Sequence, residues 1–268
     1  MLVLLASAAG CVKPDPVEIV RPLETTLGAA VPAAYFAAVS VAALDGRTSP
    51  CAKVITPAGS GGEIRVDIGL GAGCPPMFGA DEAGTVVVTG TWTPQLATFA
   101  MSFVGASSGG RPMTVVGIGA MNVVRSGATH LLLAYGEEDI LLSTGTATTA
   151  AGIKQVAWVV DVDTAGTDDP SDDAFEVSGG DQVALAVSGV HPSADLTQVA
   201  VGNASFKPHC RRNPSSGVAA VQRAGTRGGG WVLFGFHDAC DGTADVAAAL
   251  APYELLITDS LPLTFLQQ

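Results

Sequence analysis

Apolar and polar residues alternate at period two along much of the chain. The clearest case is the stretch 63–70, in which Ile64, Val66, Ile68 and Leu70 alternate with charged or small residues. Such alternation is typical of an antiparallel strand with one buried face and one exposed face. The same pattern, or a high content of β-branched residues, predicts further strands over 85–93, 97–104, 113–125, 130–135, 140–144, 154–162, 182–188, 198–206, 218–223, 230–237 and 253–259.

These strands, and the glycine- and serine-rich turns between them, predict an all-β protein. We expect an antiparallel β-sandwich or a barrel-like body with about 11–12 strands. At most one or two short helices are expected. The candidates are the alanine-rich stretches 33–44 and 243–250, the second with Asp245 in its first turn.

The first eleven residues have the pattern of a secretory signal. The apolar run 2–6 is too short to span a bilayer, which takes ~20 residues, and small residues and then Cys11 follow it. A short apolar core before small residues is typical of a segment that is removed on export. Ala9, Gly10 and Cys11 match the last three positions of the bacterial lipoprotein signal, and Ala8 stands where that family usually has leucine. The stretch therefore resembles a lipobox, which implies an exported protein with a lipid on Cys11.

This resemblance divides the chain into a signal peptide, a tether and a body. We expect the signal peptide at 1–10. A lipidated N-terminus and tether are expected at 11–30, because prolines and charges there disfavour regular structure. The β-rich body then covers 31–268. A small-residue stretch near its middle leaves open an alternative with two β-domains, 31–147 and 153–268.

The formal net charge of −12 restricts the partners of the chain. Such a charge repels phosphate backbones and anionic lipid headgroups, so we expect no nucleic-acid partner and no electrostatic anchoring to a membrane. After residue 12 no apolar stretch approaches the length of a membrane-spanning helix. The expected partners are the membrane, through the N-terminal lipid, and an envelope protein. The expected location is the cell envelope, at the outer membrane or a periplasmic face.

The chain has five cysteines, and four remain if Cys11 carries a lipid. An even number in an exported chain favours two disulfides, for which three pairings exist. Locality favours Cys51–Cys74 and Cys210–Cys240, and closing each loop would stabilise the fold by ~3 kcal/mol. The alternative is a metal site made of His209, Cys210, His237 and Cys240.

An acidic segment is the strongest candidate for binding an ion. Calcium takes ~6–8 oxygen ligands, which closely spaced carboxylates on a turned loop can supply. Counted from Asp161, acids occupy positions 1, 3, 9 and 12 with Gly166 at position 6, which resembles an EF-hand loop in part. Position 5 is alanine, position 12 is aspartate rather than glutamate, and no Lys or Arg occurs between Lys154 and Lys207. The predicted calcium ligands are Asp161, Asp163, Asp169 and Asp172. The alternative is an ordinary acidic surface loop.

The stretch 105–109, Gly-Ala-Ser-Ser-Gly, matches the G-x-S-x-G pattern of a nucleophile elbow. That motif requires a helix directly after the serine, whereas a glycine, an arginine and a proline follow here and lead into another predicted strand. We therefore interpret the stretch as a hairpin turn. The sequence assigns no catalytic residue.

Three functions remain open from the sequence. The first is a cell-envelope lipoprotein with a non-enzymatic binding or structural β body, which the signal and the lack of a catalytic motif favour. The second is a secreted hydrolase assisted by a cation on the acidic loop. The third is a carbohydrate-binding sandwich, which normally displays aromatic platforms. Of the three tryptophans, Trp92, Trp158 and Trp231, at least two are expected in the core.

Overall fold

The computed structural model of the chain has one long helix and one antiparallel sheet. It describes residues 16–47, 50–56, 62–71, 81–112, 115–135, 140–144, 147–167, 169, 172–183, 197–210, 213–223, 231–238, 243–250 and 254–262.

In these described ranges, fifteen strands form the sheet, and the paired strands are antiparallel. Most neighbours follow chain order, except that β5 pairs with β4 and β8 pairs with β6 and β9. The strands are β1 Ala52–Thr56, β2 Glu63–Gly69, β3 Ala83–Trp92, β4 Leu96–Ser108, β5 Arg111–Pro112, β6 Val115–Arg125, β7 His130–Tyr135, β8 Ile140–Thr144, β9 Ala147–Asp163, β10 Ala174–Val183, β11 Thr197–Phe206, β12 Ser216–Arg223, β13 Trp231–Phe236, β14 Thr243–Leu250 and β15 Glu254–Pro262.

The prediction of an antiparallel all-β body is confirmed, and so is its clearest strand. In β2, Ile64, Val66 and Ile68 are buried between exposed or half-buried neighbours, as the alternation requires. The sheet has more strands than expected because β1, β5 and β14 were not predicted. Strand β10 begins at Ala174, well before the stretch 182–188, whose residues 184–188 lie outside the described part of the chain.

The predicted short helix at 243–250 is wrong, because these residues form β14. Alanine favours a helix in an isolated peptide. In the folded chain, the ladders to β13 and β15 satisfy the backbone hydrogen bonds on both sides, and Ala244 and Val246 are buried on the inward face. Tertiary pairing therefore overrides the local preference.

Helix α1, Pro16–Leu44, fills the space inside the sheet. Leu23, Leu27 and every residue from Ala30 to Val41 are buried. Within that buried run, the Ser40 hydroxyl donates to the Phe36 carbonyl at 2.7 Å. The helix contacts β1, β2, β3, β6, β9, β10, β11 and β12. Because these strands are widely separated in the sheet order, the sheet must curve around the helix.

The expectation of a tether over 11–30 is wrong from residue 16 onwards, where α1 begins. The helix is also longer than the short one predicted at 33–44, and it continues through Pro22 and Pro32. A proline inside a helix costs about 3 kcal/mol. Burial of Leu23, Leu27 and the run from Ala30 to Val41 offsets that cost, since each buried Leu or Phe contributes about 1.5–3 kcal/mol.

The buried side chains form one hydrophobic cluster that includes α1 and both halves of the sheet. The small-residue stretch that suggested a domain boundary forms the end of β8 and the start of β9. Core residues such as Met121 and Phe175, from either side of that stretch, belong to the same cluster. Across the described ranges, none of the helices is both long enough and apolar enough to cross a membrane.

Candidate functional site

The acidic segment joins β9 to β10 and is anchored to the turn between β6 and β7. The backbone N–H and the hydroxyl of Thr164 both donate to the Thr129 carbonyl, at 2.8 and 3.0 Å. Ala165 and Gly166 have φ angles of 50° and 72°, so the chain turns through left-handed conformations. The Asp163 carboxylate accepts the Ala165 N–H at 3.0 Å. The glycine turn expected from the sequence is therefore present.

The second half of the segment is organised by the Thr167 hydroxyl. This hydroxyl donates to the Asp172 carboxylate at 2.8 Å and accepts the Asp169 N–H at 3.2 Å. Thr167 also donates its own N–H to the Thr164 carbonyl at 3.1 Å. One threonine thus joins both ends of the turn.

Two arginines from distant parts of the sequence reach the same region. Arg47, which follows α1, donates to the Thr167 carbonyl at 3.2 Å. Arg125, the last residue of β6, forms a 2.6 Å ion pair with Asp45 at the end of α1. The acidic segment contains no basic residue of its own, but the fold supplies positive charge next to it.

A histidine–carboxylate pair lies on the strands that lead into this region. His130 of β7 and Asp161 of β9 are separated by 3.1 Å between Nδ1 and Oδ1, and both side chains are nearly half exposed. A cavity of about 30 Å³ lies beside His130, lined among others by Asp45, Arg47, Arg125 and the buried Asp173. Ligand sites of enzymes usually offer ~300–1,000 Å³. This cavity has room for little more than a water molecule.

The carboxylates of three of the four predicted calcium ligands, Asp161, Asp163 and Asp172, contact other groups of the protein. The Asp163 carboxylate accepts a hydrogen bond from the Ala165 N–H, and the Asp172 carboxylate accepts one from the Thr167 hydroxyl. The Asp161 carboxylate contacts His130. Among the residues that the structure describes, no group of three or more His, Cys, Asp or Glu side chains is placed to hold a metal ion. Calcium binding at Asp161, Asp163, Asp169 and Asp172 therefore stays a prediction.

Replacing Thr167 with valine is expected to lower the free energy of unfolding by about 1 kcal/mol. The change removes the hydroxyl that bonds Asp172 and the Asp169 N–H, while it keeps the shape of the side chain. Urea unfolding measures the effect. The control is Thr89→Val, at an exposed position of β3 whose hydroxyl makes no hydrogen bond in the described part of the chain. An equal loss in both variants would contradict the proposed role of Thr167.

The stretch 105–110 forms the predicted hairpin turn. Strands β4 and β5 pair through Ser107 with Pro112 and Ser108 with Arg111. The two residues between them, Gly109 and Gly110, have φ angles of 57° and 76°. Two consecutive positive φ angles are typical of the tight turn that joins antiparallel strands. The G-x-S-x-G match is therefore part of a hairpin.

The remaining sequence candidates lie partly outside the described residues. Cys51 and Cys210 are buried, whereas Cys11, Cys74 and Cys240 lie outside the described ranges. Trp158 lies in the core, and Trp92 is partly buried and packs against it, so the expectation of at least two core tryptophans stays a prediction. Of the alternative metal ligands, His209, Cys210 and His237 are described, and His237 Nε2 lies 3.3 Å from the Thr243 hydroxyl.

A second region, which was not predicted, lies on the outer face of β11–β14. Exposed and half-buried positions alternate there with the buried core positions. We call this region the β11–β14 face. Its positions on β11, β12 and β13 are Ala200, Gly202, Val218, Ala220, Leu233 and Gly235. Asp245 and Ala247 on β14 complete it.

The β11–β14 face is apolar and open to solvent. Val218 and Leu233 are 59% and 45% exposed, and a depression of about 1060 Å³ opens over them. The register pairs each large residue with a small one, Val218 with Gly202 and Gly235, and Leu233 with Ala220. The depression forms because these neighbours have at most a methyl group as side chain.

One sequence signal could have indicated this face. An exposed strand face normally carries polar residues at alternate positions. At the positions of the face, β11, β12 and β13 instead carry alanine, glycine, valine or leucine, as in the stretches 218–220 and 233–235, and Asp245 of β14 is the one polar residue. Strands whose two faces are both apolar predict contact on both sides.

No family model, curated protein or solved structure matches this chain.

Proposed function

We propose that this chain is a cell-envelope lipoprotein with a non-enzymatic body that binds a partner through the β11–β14 face. The observation that carries the proposal is the exposure of Val218 and Leu233 within an apolar depression. Exposed apolar patches of a few hundred Å² on soluble proteins are often functional. Its position on the outside of the sheet makes it accessible to another macromolecule.

The filled interior supports binding at the outer surface. Helix α1 occupies the inside of the curved sheet, where Phe36 packs edge to face against Tyr35 and Phe103. These side chains are buried. A small ligand would have to displace the core to enter, which would cost several kcal/mol per side chain. The inside of the sheet is therefore a scaffold, and the outside is the surface that can function.

The proposed lipid on Cys11 would hold the body close to a membrane. Four residues separate Cys11 from Pro16, where α1 begins. Five Cα–Cα steps span at most ~18 Å. The net charge of −12 repels an anionic membrane surface, so attachment would depend on the acyl chains alone.

The proposal includes the two disulfides Cys51–Cys74 and Cys210–Cys240, as expected for an exported chain. Its support is that one cysteine of each pair, Cys51 and Cys210, is buried at the end of a secondary-structure element. Each disulfide would tie a loop to the sheet.

Replacing Cys11 with serine is expected to release the protein from the membrane fraction of a bacterial host that processes lipoproteins. Serine has no thiol for lipid attachment, and residue 11 precedes α1, so the fold should be unchanged. Mass spectrometry of the membrane-extracted protein should find a diacylglyceryl group on an N-terminal Cys11. Ser7→Ala, which keeps the cysteine, is the control. An unmodified Cys11, or equal partitioning of the two variants, would refute lipid anchoring.

A further inference from the structure

We propose that the β11–β14 face docks a basic amphipathic helix, that is, a helix with an aliphatic stripe and a Lys or Arg beside it. This inference rests on the proposed function, since it names the class of partner that the binding face accepts. The shape of the face, its area and its charge each support it.

The position of the face in the sheet excludes a partner that adds as a strand. Strands β11, β12, β13 and β14 each have a hydrogen-bonded neighbour on both sides. Their backbone groups are therefore used within the sheet, and a partner can contact the face only through side chains. The partner must therefore pack a helix or a second sheet onto the face.

The depression has room for a short helix. Its volume of about 1060 Å³ equals that of a cylinder about 10 Å across and about 14 Å long, which corresponds to two to three turns of α-helix. The small residues allow close approach, and a Cβ added to Gly202 would already lie 3.2 Å from a Val218 methyl group. Val218 and Leu233 would lie on either side of the helix axis.

The area of the face is too small for sheet-on-sheet dimerisation. Eight positions, spaced ~4.8 Å between strands and ~6.8 Å along a strand, cover about 260 Å². A stable protein–protein interface buries ~800 Å² per partner, so this face suits a weak, transient contact with one short helix and not a stable dimer. A second copy would also bring a second net charge of −12 to the face.

The carboxylate of Asp245 favours a partner with a positive charge. It is the one charged residue of the face, it is exposed, and it makes no hydrogen bond or ion pair within the described part of the chain. A cation on the partner would neutralise this carboxylate and would be attracted by the net charge of the whole chain. An acidic helix of the same apolar pattern would be repelled.

The test measures binding of three labelled helical peptides of about 14 residues by fluorescence anisotropy at physiological salt. All three have the same leucine stripe, and their polar face is lysine, glutamine or glutamate. We expect the lysine peptide to bind most tightly. The double variant Val218→Thr/Leu233→Thr should weaken its binding by about tenfold or more. Asp245→Asn should weaken the lysine peptide by about threefold and leave the glutamine peptide unchanged.

The matched control is Val104→Thr on β4, because Val104 is 58% exposed and Val218 is 59% exposed. This control separates docking on the face from general attraction of a cationic peptide to an acidic protein. If all three peptides bind equally and Asp245→Asn has no effect, the basic partner is refuted while the binding face stands. If the lysine peptide binds the double variant Val218→Thr/Leu233→Thr as tightly as it binds Val104→Thr, its binding does not depend on the β11–β14 face. That result would refute the face as a binding site, and the proposed function with it. A dimer in sedimentation that the double variant abolishes would identify a second copy as the occupant and would also overturn the proposal.

Discussion

Replacing Leu27 with alanine is expected to lower the free energy of unfolding by about 3 kcal/mol. Leu27 lies in the part of α1 that the sequence predicted to be a tether, yet its side chain is 1% exposed. Truncating it removes apolar contacts and leaves a cavity between the helix and the sheet. For a chain of this size the melting temperature should fall by on the order of 10 °C.

The measurement is urea or thermal unfolding of the full chain in a Cys11→Ser background, which keeps the protein out of membranes. Leu96→Ala is the matched control, because Leu96 on β4 is 49% exposed. That substitution should change stability by less than about 1 kcal/mol. If the Leu27 variant is as stable as the control, residues 16–30 do not belong to the body.

The sheet was predictable from the sequence wherever its two faces differ in polarity. Strand β2 has aliphatic residues on one face and Glu63, Arg65 and Asp67 on the other, and its buried face was predicted residue by residue. Strand β14 has alanine on both faces, so period two is not visible in its sequence. Its pairing with β13 and β15 is a property of the assembled sheet, not of the local stretch.

Helix α1 was only partly predictable for a related reason. A surface helix shows an apolar stripe at a period of 3.6 residues, but a helix surrounded by a sheet is apolar on all sides. The stretch from Ala30 to Val41 has no polar face, so periodicity cannot distinguish it from a strand. The prolines before it argued for a linker, and burial against eight strands overrides that preference.

The two candidate sites, too, could be predicted only in part from the local sequence. Local sequence located the acidic segment and its turn at Gly166. It could not show that Arg47 and Arg125 lie beside that segment, because only the fold brings them there. The β11–β14 face likewise depends on strand register, since Val218 and Leu233 become one surface only when β12 and β13 are aligned.

Replacing Gly90 with alanine is expected to destabilise the protein by about 4 kcal/mol, from backbone strain and overpacking together. Gly90 has a φ of +149°, and a Cβ there would lie 1.8 Å from the Thr98 carbonyl oxygen of the paired strand β4. Because that atom belongs to the backbone, the sheet itself would have to move. Gly109→Ala separates backbone strain from overpacking. Gly109 has a φ of +57°, but a Cβ there would meet nothing within 4 Å. It should cost about 1 kcal/mol.

Gly127→Ala completes the series, since Gly127 lies outside the left-handed region and a Cβ there also meets nothing within 4 Å. It should be neutral or stabilising by about 0.5 kcal/mol, because alanine restricts the unfolded chain. In urea unfolding, Gly90→Ala should therefore be much less stable than Gly109→Ala, and Gly109→Ala should be less stable than Gly127→Ala. If the three are equal, β3 and β4 do not approach closely at Gly90. If Gly90 and Gly109 alone are equal, φ strain accounts for the whole effect and the close approach contributes nothing.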